Sequence, residues 1–406
     1  MATKTQIGEV EADSDSDRVT ELPGQPQVTF KHYAGYVNLR PQHQKALFYW
    51  FFEAQDDAAA ASPKPLVLWL NGVANILFLE APVGVGFSYT NNSKDLHELG
   101  DQVTAIDSYA FLLGWFERFP NFKSRDFYLA GESYAGHYVP QLAELIYERN
   151  KGASKDSYIN LKGFMIGNAV INDATDSSGM VDFAWSHAII SDKLYRGIRK
   201  HCDFRQSTAT SDCSAHFKGF GEAYAFIDIY SIYSPLCLSF IDSKTRPKLN
   251  VAPHLLSQHV SYHQATIHAQ KTMWDIISTE KMYRGPYMPI GVINKWNDSA
   301  DTVLPIIQKL LDAGLRIWVY SGDTDGRVPV TSTRYSINKL GLKITQEWRA
   351  WFHKLQVSGW VETYDKGLTF ATVRGAGHQV PLFAGHQSLA LFTHFLSNTT
   401  LPSSPF

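Results

Sequence analysis

Apolar residues recur along this chain at two periods, and the alternation between them predicts the fold. Val28 to Leu39 alternates loosely and Ala46 to Ala54 is rich in aromatics, so the two read as an antiparallel hairpin joined by a polar Pro/Gln/His turn. Short apolar runs at Leu66 to Leu70, Ile76 to Leu79, Phe127 to Ala130, Leu161 to Ile166, Arg316 to Tyr320 and Phe370 to Val373 have the character of buried strands. Between them, Val103, Ile106, Tyr109, Leu113 and Phe116 fall at helical spacing, and Tyr138 to Tyr147, Val303 to Leu311 and Leu389 to Leu396 also read as helices. Strands alternating with helices predict an α/β fold with a mostly parallel sheet covered on both faces. From about Thr175 to Asn297 the pattern weakens, and this stretch holds every cysteine of the chain.

Composition narrows the class. With 406 residues, 44% of them hydrophobic, the chain can bury one large core bearing an insertion. A formal charge of −2 gives no reason to expect nucleic acid or an anionic membrane as partner. The first seventeen residues are polar and end acidic (Glu9, Glu11, Asp13, Asp15, Asp17), which reads as a disordered tail without the basic start and apolar stretch of a signal peptide. Leu66 to Phe87 is apolar enough to suggest a membrane helix, but Asn71, Asn75, Glu80 and Pro82 interrupt it. No His-Glu-x-x-His, Cys-x-x-Cys, P-loop or dinucleotide fingerprint is present, so no metal or cofactor is expected.

The chemistry concentrates in three loops. Gly131-Glu132-Ser133-Tyr134-Ala135-Gly136 lies between a predicted strand and a predicted helix, the setting of a nucleophile elbow, in which small residues on both sides of a serine permit a sharp turn that exposes its hydroxyl. A serine needs a base to take its proton, and the base needs an acid to orient it. Ser321-Gly322-Asp323-Thr324-Asp325-Gly326 follows an apolar strand end and offers two candidate acids, and Gly375-Ala376-Gly377-His378 ends another strand with a histidine. The order Ser, Asp, His is that of α/β-hydrolases.

With these loops, Tyr33-Ala34-Gly35-Tyr36-Val37, Leu47-Phe48-Tyr49-Trp50-Phe51, Trp69-Leu70-Asn71-Gly72 and Gly84-Val85-Gly86-Phe87-Ser88-Tyr89, the chain resembles the plant-type serine carboxypeptidases and their acyltransferase relatives from Asp17 to about Phe406. The resemblance implies an α/β-hydrolase core over residues 18–174 and 298–406 and a cap inserted at 175–297. It implies Ser133 as nucleophile, His378 as base and Asp325 as orienting acid, with Asp323 the competitor. The N–H of Tyr134 is expected in the oxyanion hole. Asn71, Gly72 and Glu132 are expected to hold the free carboxylate of a peptide or protein C-terminus, with Glu132 donating when protonated and activity favoured at acidic pH. Cys202 is expected to pair with Cys213, leaving Cys237 over. The family is secreted or vacuolar, a route in which Asn91, Asn297 and Asn398 become glycosylation sites.

One departure stands out. The strands at Leu66–Leu70 and Ile76–Leu79 are nearly continuous here, where the family separates them by a long segment carrying Pro-Gly-Cys and a helix; the partner of that cysteine, near Pro286-Tyr287-Met288-Pro289, is also replaced, by Ile290. Neighbouring parallel strands ordinarily need a crossover of a dozen or more residues. The expectation is therefore an antiparallel hairpin or a displaced strand over residues 66–80, with damage to the loop that supplies the second oxyanion donor; Val73 is a poor substitute there. Three readings follow: a serine-type exopeptidase, an acyltransferase using the same three residues, and a catalytically impaired relative.

Overall fold

The computed structural model describes residues 14–22, 27–40, 45–55, 63–68, 74–206, 208–235 and 296–405. Eleven strands among them form one sheet in the order β1-β2-β3-β5-β4-β6-β7-β8-β11-β10-β9. These are β1 Arg18–Val19, β2 His32–Arg40, β3 Lys45–Phe52, β4 Leu66–Leu68, β5 Asn75–Leu79, β6 Phe127–Glu132, β7 Leu161–Gly167, β8 Arg316–Gly322, β9 Ile344–His353, β10 Gln356–Tyr364 and β11 Leu368–Val373. The central strands from β5 to β11 run parallel, and antiparallel hairpins close both ends.

Helices α1 Ser93–His97, α2 Asp101–Arg118, α3 Ala135–Asn150, α4 Asp173–Ser186, α5 Asp192–His201, α6 Ser211–Ala223, α7 Leu304–Asp312, α8 Val330–Lys339, α9 Val380–Phe383 and α10 Gly385–Ser397 surround the sheet. Successive strand residues point to opposite faces, so each central strand feeds two cores. Phe127 and Leu129 of β6 and Ile317 and Val319 of β8 meet Phe111, Leu112 and Trp115 of α2, Leu142 and Ile146 of α3, and Ile307 and Leu310 of α7. Tyr128, Ala130, Trp318 and Tyr320 of the same strands meet Leu391, Phe392 and Phe395 of α10 on the other face. The inserted region has a small core of its own, in which Val181, Ala184, Ile198, Phe220 and Tyr224 join α4, α5 and α6. No helix among the described residues is long and apolar enough to cross a membrane.

Two expectations are corrected. Asp17 does not belong to a disordered tail: its carboxylate accepts from the Tyr49 hydroxyl at 2.6 Å and pairs with Arg118 at 2.7 Å, pinning β1 to β3 and to the end of α2. Nor do the strands on either side of residues 69–73 rearrange. β4 and β5 are adjacent and parallel, with Val67 opposite Ile76 and Leu68 opposite Leu77. The distance between the two described strands is small. From Leu68 the chain must return only to the level of Asn75, about 8 Å away at a rise of roughly 3.3 Å per residue and a strand spacing of about 4.8 Å. The six residues between them reach about 20 Å when extended. Six residues are enough to cover that distance, so the usual crossover of a dozen residues is not required.

β3 and α2 are also joined by an ion pair between Lys45 and Asp107, whose side chains are 2% and 4% exposed. Removing one member of a buried pair is far costlier than replacing both. Lys45→Met is expected to lower the unfolding free energy by about 3–5 kcal/mol, measured by urea denaturation; a change of about 1 kcal/mol or less would show that the pair contributes little.

Candidate active site

Strand β6 delivers Ser133 to the carboxyl edge of the sheet, where α3 begins. Ser133 takes φ of 63°, in the left-handed region, a conformation that costs a side-chain-bearing residue on the order of 1–3 kcal/mol and persists only where the surroundings enforce it. Here they do. The Ser133 N–H donates to the Gly167 carbonyl at 3.1 Å, and its own carbonyl accepts from Gly136 and Val170, each at 3.0 Å. The small neighbours are obligatory for space: a Cβ on Gly131 would lie 2.5 Å from the Ala135 methyl, and one on Gly136 would lie 2.2 Å from the Val170 carbonyl oxygen. Tyr134 occupies the N-cap of α3, so its N–H is among the donors that a helix start leaves without an intrahelical acceptor.

The loop after β8 carries Asp325, fully buried. Its Oδ2 lies 2.6 Å from Nδ1 of His378, which is 4% exposed at the end of the loop after β11. The carboxylate also accepts from the Arg327 N–H at 2.7 Å, the Val328 N–H at 3.2 Å and the Asn168 amide at 2.9 Å. Such a set of donors stabilises a charged carboxylate against burial. With Nδ1 protonated toward Asp325, Nε2 becomes the basic nitrogen; that atom is buried and has no hydrogen-bond partner among the described residues. Asp323, the competing acid, is turned elsewhere: it accepts from the Gly375 N–H at 2.7 Å, and burial raises its pKa above the usual carboxylate value.

Asn168 was not singled out from the sequence, yet it joins the loops. It directly follows Gly167, the residue that holds Ser133, and its amide reaches Asp325 while its Oδ1 accepts from the Gly322 N–H at 2.9 Å. An asparagine at a strand end was the only sequence signal. A second unforeseen element is the segment from Asp228 to Ser234 of the inserted region. Its main chain accepts from Gly326 at Ile229 (2.8 Å) and from His378 at Tyr230 (2.7 Å), and Ile232 donates to Thr324 (3.0 Å). The Tyr230 ring lies 5.0 Å from the His378 imidazole. This strap fastens the Asp325 loop and the His378 loop to each other.

Glu132, beside Ser133, accepts from the Tyr320 hydroxyl and from the Val380 N–H, both at 3.1 Å. The base loop thus docks, two residues past His378, onto the residue that precedes Ser133. Burial is the main cause that pushes the Glu132 pKa up to about 8, against the pull of these two donors. Asn71 and Gly72, expected to share its task, lie outside the described residues, as do Val73 and Cys237. Cys202 and Cys213 form a disulfide joining the end of α5 to α6, the pairing that the resemblance implied. Asn91 and Asn398 are exposed. The Asn297 amide donates to the carbonyls of His97 (2.7 Å) and Leu99 (2.9 Å), so a glycan on that nitrogen would displace one bond.

Comparison with known proteins identifies the family. The family model described as serine carboxypeptidase matches residues 23–72 and 73–398. The chain belongs to the serine carboxypeptidase family. It is 55% identical to serine carboxypeptidase-like 35 of Arabidopsis thaliana over 97% of this chain and 93% of that protein, and 46% identical to serine carboxypeptidase-like 34 of the same plant over 96% and 90%. In fold it is similar to Kex1(delta)p, a prohormone-processing carboxypeptidase from Saccharomyces cerevisiae, with a TM-score of 0.69 and 19% identity, covering 95% of this chain and 96% of that one. The fold is therefore that of the α/β-hydrolases. Within the family this chain is short at one place. The two matched blocks meet between Gly72 and Val73, and an alignment of 448 columns that uses 97% of 406 residues leaves about fifty columns without a residue of this chain.

The raised Glu132 pKa makes a prediction about stability. Unfolded, this carboxyl ionises near 4.5; folded, near 8. Between these values the unfolded chain has lost a proton that the folded chain keeps, so this group reduces stability as pH rises from about 4.5 to about 8. Glu132→Gln removes that dependence. The stability of the variant relative to the wild type should increase steadily across the window in urea denaturation series; a constant difference from pH 4 to pH 8 would contradict the assignment.

Proposed function

We propose that this chain is a serine-type carboxypeptidase that releases C-terminal amino acids from peptides or proteins through an acyl-enzyme on Ser133. The observation that carries the reading is the buried Asp325–His378 pair at 2.6 Å, whose loop is bonded through Val380 to Glu132, the neighbour of a serine held in an elbow conformation. In this reading Ser133 Oγ attacks the last peptide carbonyl and its proton passes to His378 Nε2. Asp325 keeps the imidazole in the correct tautomer and stabilises the imidazolium. The Tyr134 N–H receives the developing oxyanion. His378 returns the proton to the departing amino acid, and a water activated by the same nitrogen releases the acyl group. Glu132, neutral below about pH 8, donates to the substrate carboxylate, with Asn71 and Gly72 as its companions.

A second reading rests on the junction of the two matched blocks at Gly72 and Val73. The loop after β4 is the family's source of the second oxyanion donor, and losing one such donor costs about 10²–10³ in turnover. An impaired enzyme keeps the Ser133 site but turns over slowly. The Cys202–Cys213 disulfide favours an oxidising compartment, in keeping with a secreted or vacuolar protein.

A fluorophosphonate probe and blocked dipeptides decide among these. Stoichiometric labelling abolished in Ser133→Ala, together with release of free amino acid, supports the peptidase. Labelling with acyl transfer to an added alcohol but no hydrolysis would favour the acyltransferase. Absence of labelling in the wild-type chain would overturn the proposal.

A further inference from the structure

Behind the nucleophile lies a buried polar cluster that the triad does not use. Asp101, the first residue of α2, is 1% exposed and gathers donors from two other parts of the chain, the start of α3 and Trp296. The Tyr134 hydroxyl meets its Oδ1 at 2.9 Å, and Trp296 Nε1 donates to the same oxygen at 3.0 Å. On Oδ2, Gln141 Nε2 donates at 3.0 Å and His137 Nδ1 lies at 3.2 Å. Ser299 Oγ lies 2.7 Å from the Tyr134 oxygen. One phenolic proton cannot serve both neighbours, so the carboxylate takes it and the Ser299 hydroxyl donates back. The Tyr134 ring is clamped as well, stacked on His137 at 4.8 Å and met edge-on by Tyr138 at 5.0 Å. Burial opposes ionisation of Asp101, but the bonds from His137 and Gln141 hold its pKa below the usual value.

We propose that Asp101 is a positioning residue for the oxyanion hole, acting through the Tyr134 phenol to fix the backbone N–H that follows Ser133. The inference rests on the functional reading above and deepens it. Tyr134 is tied at both ends: its main chain opens α3, and its side chain is anchored to α2 and to the segment from Trp296 to Ser299, where the chain re-enters the core after the insertion. A backbone N–H stabilises a developing oxyanion only if it is aimed before the charge appears. Two rotatable bonds separate the Tyr134 ring from its main chain, so a ring that cannot move restrains the N–H. This restraint carries more weight here than in relatives with an uninterrupted loop after β4, because that loop is cut short in this chain.

The test compares Asp101→Asn and Tyr134→Phe in the full-length chain. Tyr134→Phe removes only the hydroxyl and keeps the ring stack. Both variants are expected to slow phosphonylation of Ser133 by a fluorophosphonate about 10–100-fold, and to lower kcat for a blocked dipeptide while leaving KM within about twofold, the mark of a loss confined to the transition state. Should Asp101→Asn fail to fold, Tyr134→Phe carries the test alone. Tyr134→Phe reacting at the wild-type rate overturns the inference while leaving the functional reading intact. A wild-type chain that resists the probe overturns both.

Discussion

The site depends on the end of one strand. Gly167 and Asn168, at the carboxyl edge of β7, hold the serine on one side and the acid on the other. The Gly167 carbonyl accepts from Ser133, and the Asn168 main-chain N–H donates to the Tyr320 carbonyl at 2.9 Å, at the end of β8. The Asn168 side chain then bridges Asp325 and Gly322. Asn168 is fully buried and itself in the left-handed region, at φ of 39°. An amide is suited to this place because it accepts with one end and donates with the other, so neither the Gly322 N–H nor the Asp325 carboxylate is left unsatisfied. Loops more than a hundred residues apart in sequence are brought together by neighbouring parallel strands and locked by a single side chain.

This arrangement concentrates strain and buried charge at one edge of the sheet. Ser133 and Asn168 both hold positive φ without being glycine, and Asp325 is a carboxylate fully removed from solvent. Such features persist where the surroundings over-determine them. The surroundings here are two apolar cores pressed on opposite faces of β6, β7, β8 and β11, which leave these strands little freedom to shift. The inserted region adds a third restraint, since the strap from Asp228 to Ser234 bonds to both the acid loop and the base loop. The inserted region thus helps to hold His378 and the Asp325 loop in place.

Much of the fold was legible because periodicity reports burial directly. The helical spacing from Val103 to Phe116 became α2, and the apolar runs around Phe127, Leu161, Arg316 and Phe370 became the parallel centre of the sheet. The hairpin of β9 and β10 was not legible. Only one of the ten residues of β9, Trp351, is fully buried, so its apolar pattern is weak, and its turn uses Lys354 and Leu355 at positive φ in place of glycine or asparagine. The parallel placement of β4 beside β5 was not legible, because the register that sets Leu66 level with Asn75 fixes how far the connection must reach, and no local pattern reports it. The motifs at Ser133, Asp325 and His378 were legible, and the structure pairs the last two. Asn168, the Asp228–Ser234 strap and Asp101 were not, because a polar residue whose partners lie far away in sequence leaves no local pattern.

The central claim is that burial and hydrogen bonding fix one tautomer of His378, with the proton on Nδ1 toward Asp325 and Nε2 left without a hydrogen-bond partner among the described residues. Nitrogen NMR of ring-labelled histidine reads this directly at neutral pH. The account predicts one imidazole with a protonated, strongly downfield Nδ1–H and an unprotonated Nε2, a signature abolished by Asp325→Asn. A His378 signal averaging over both tautomers, or one with its proton on Nε2, would contradict it.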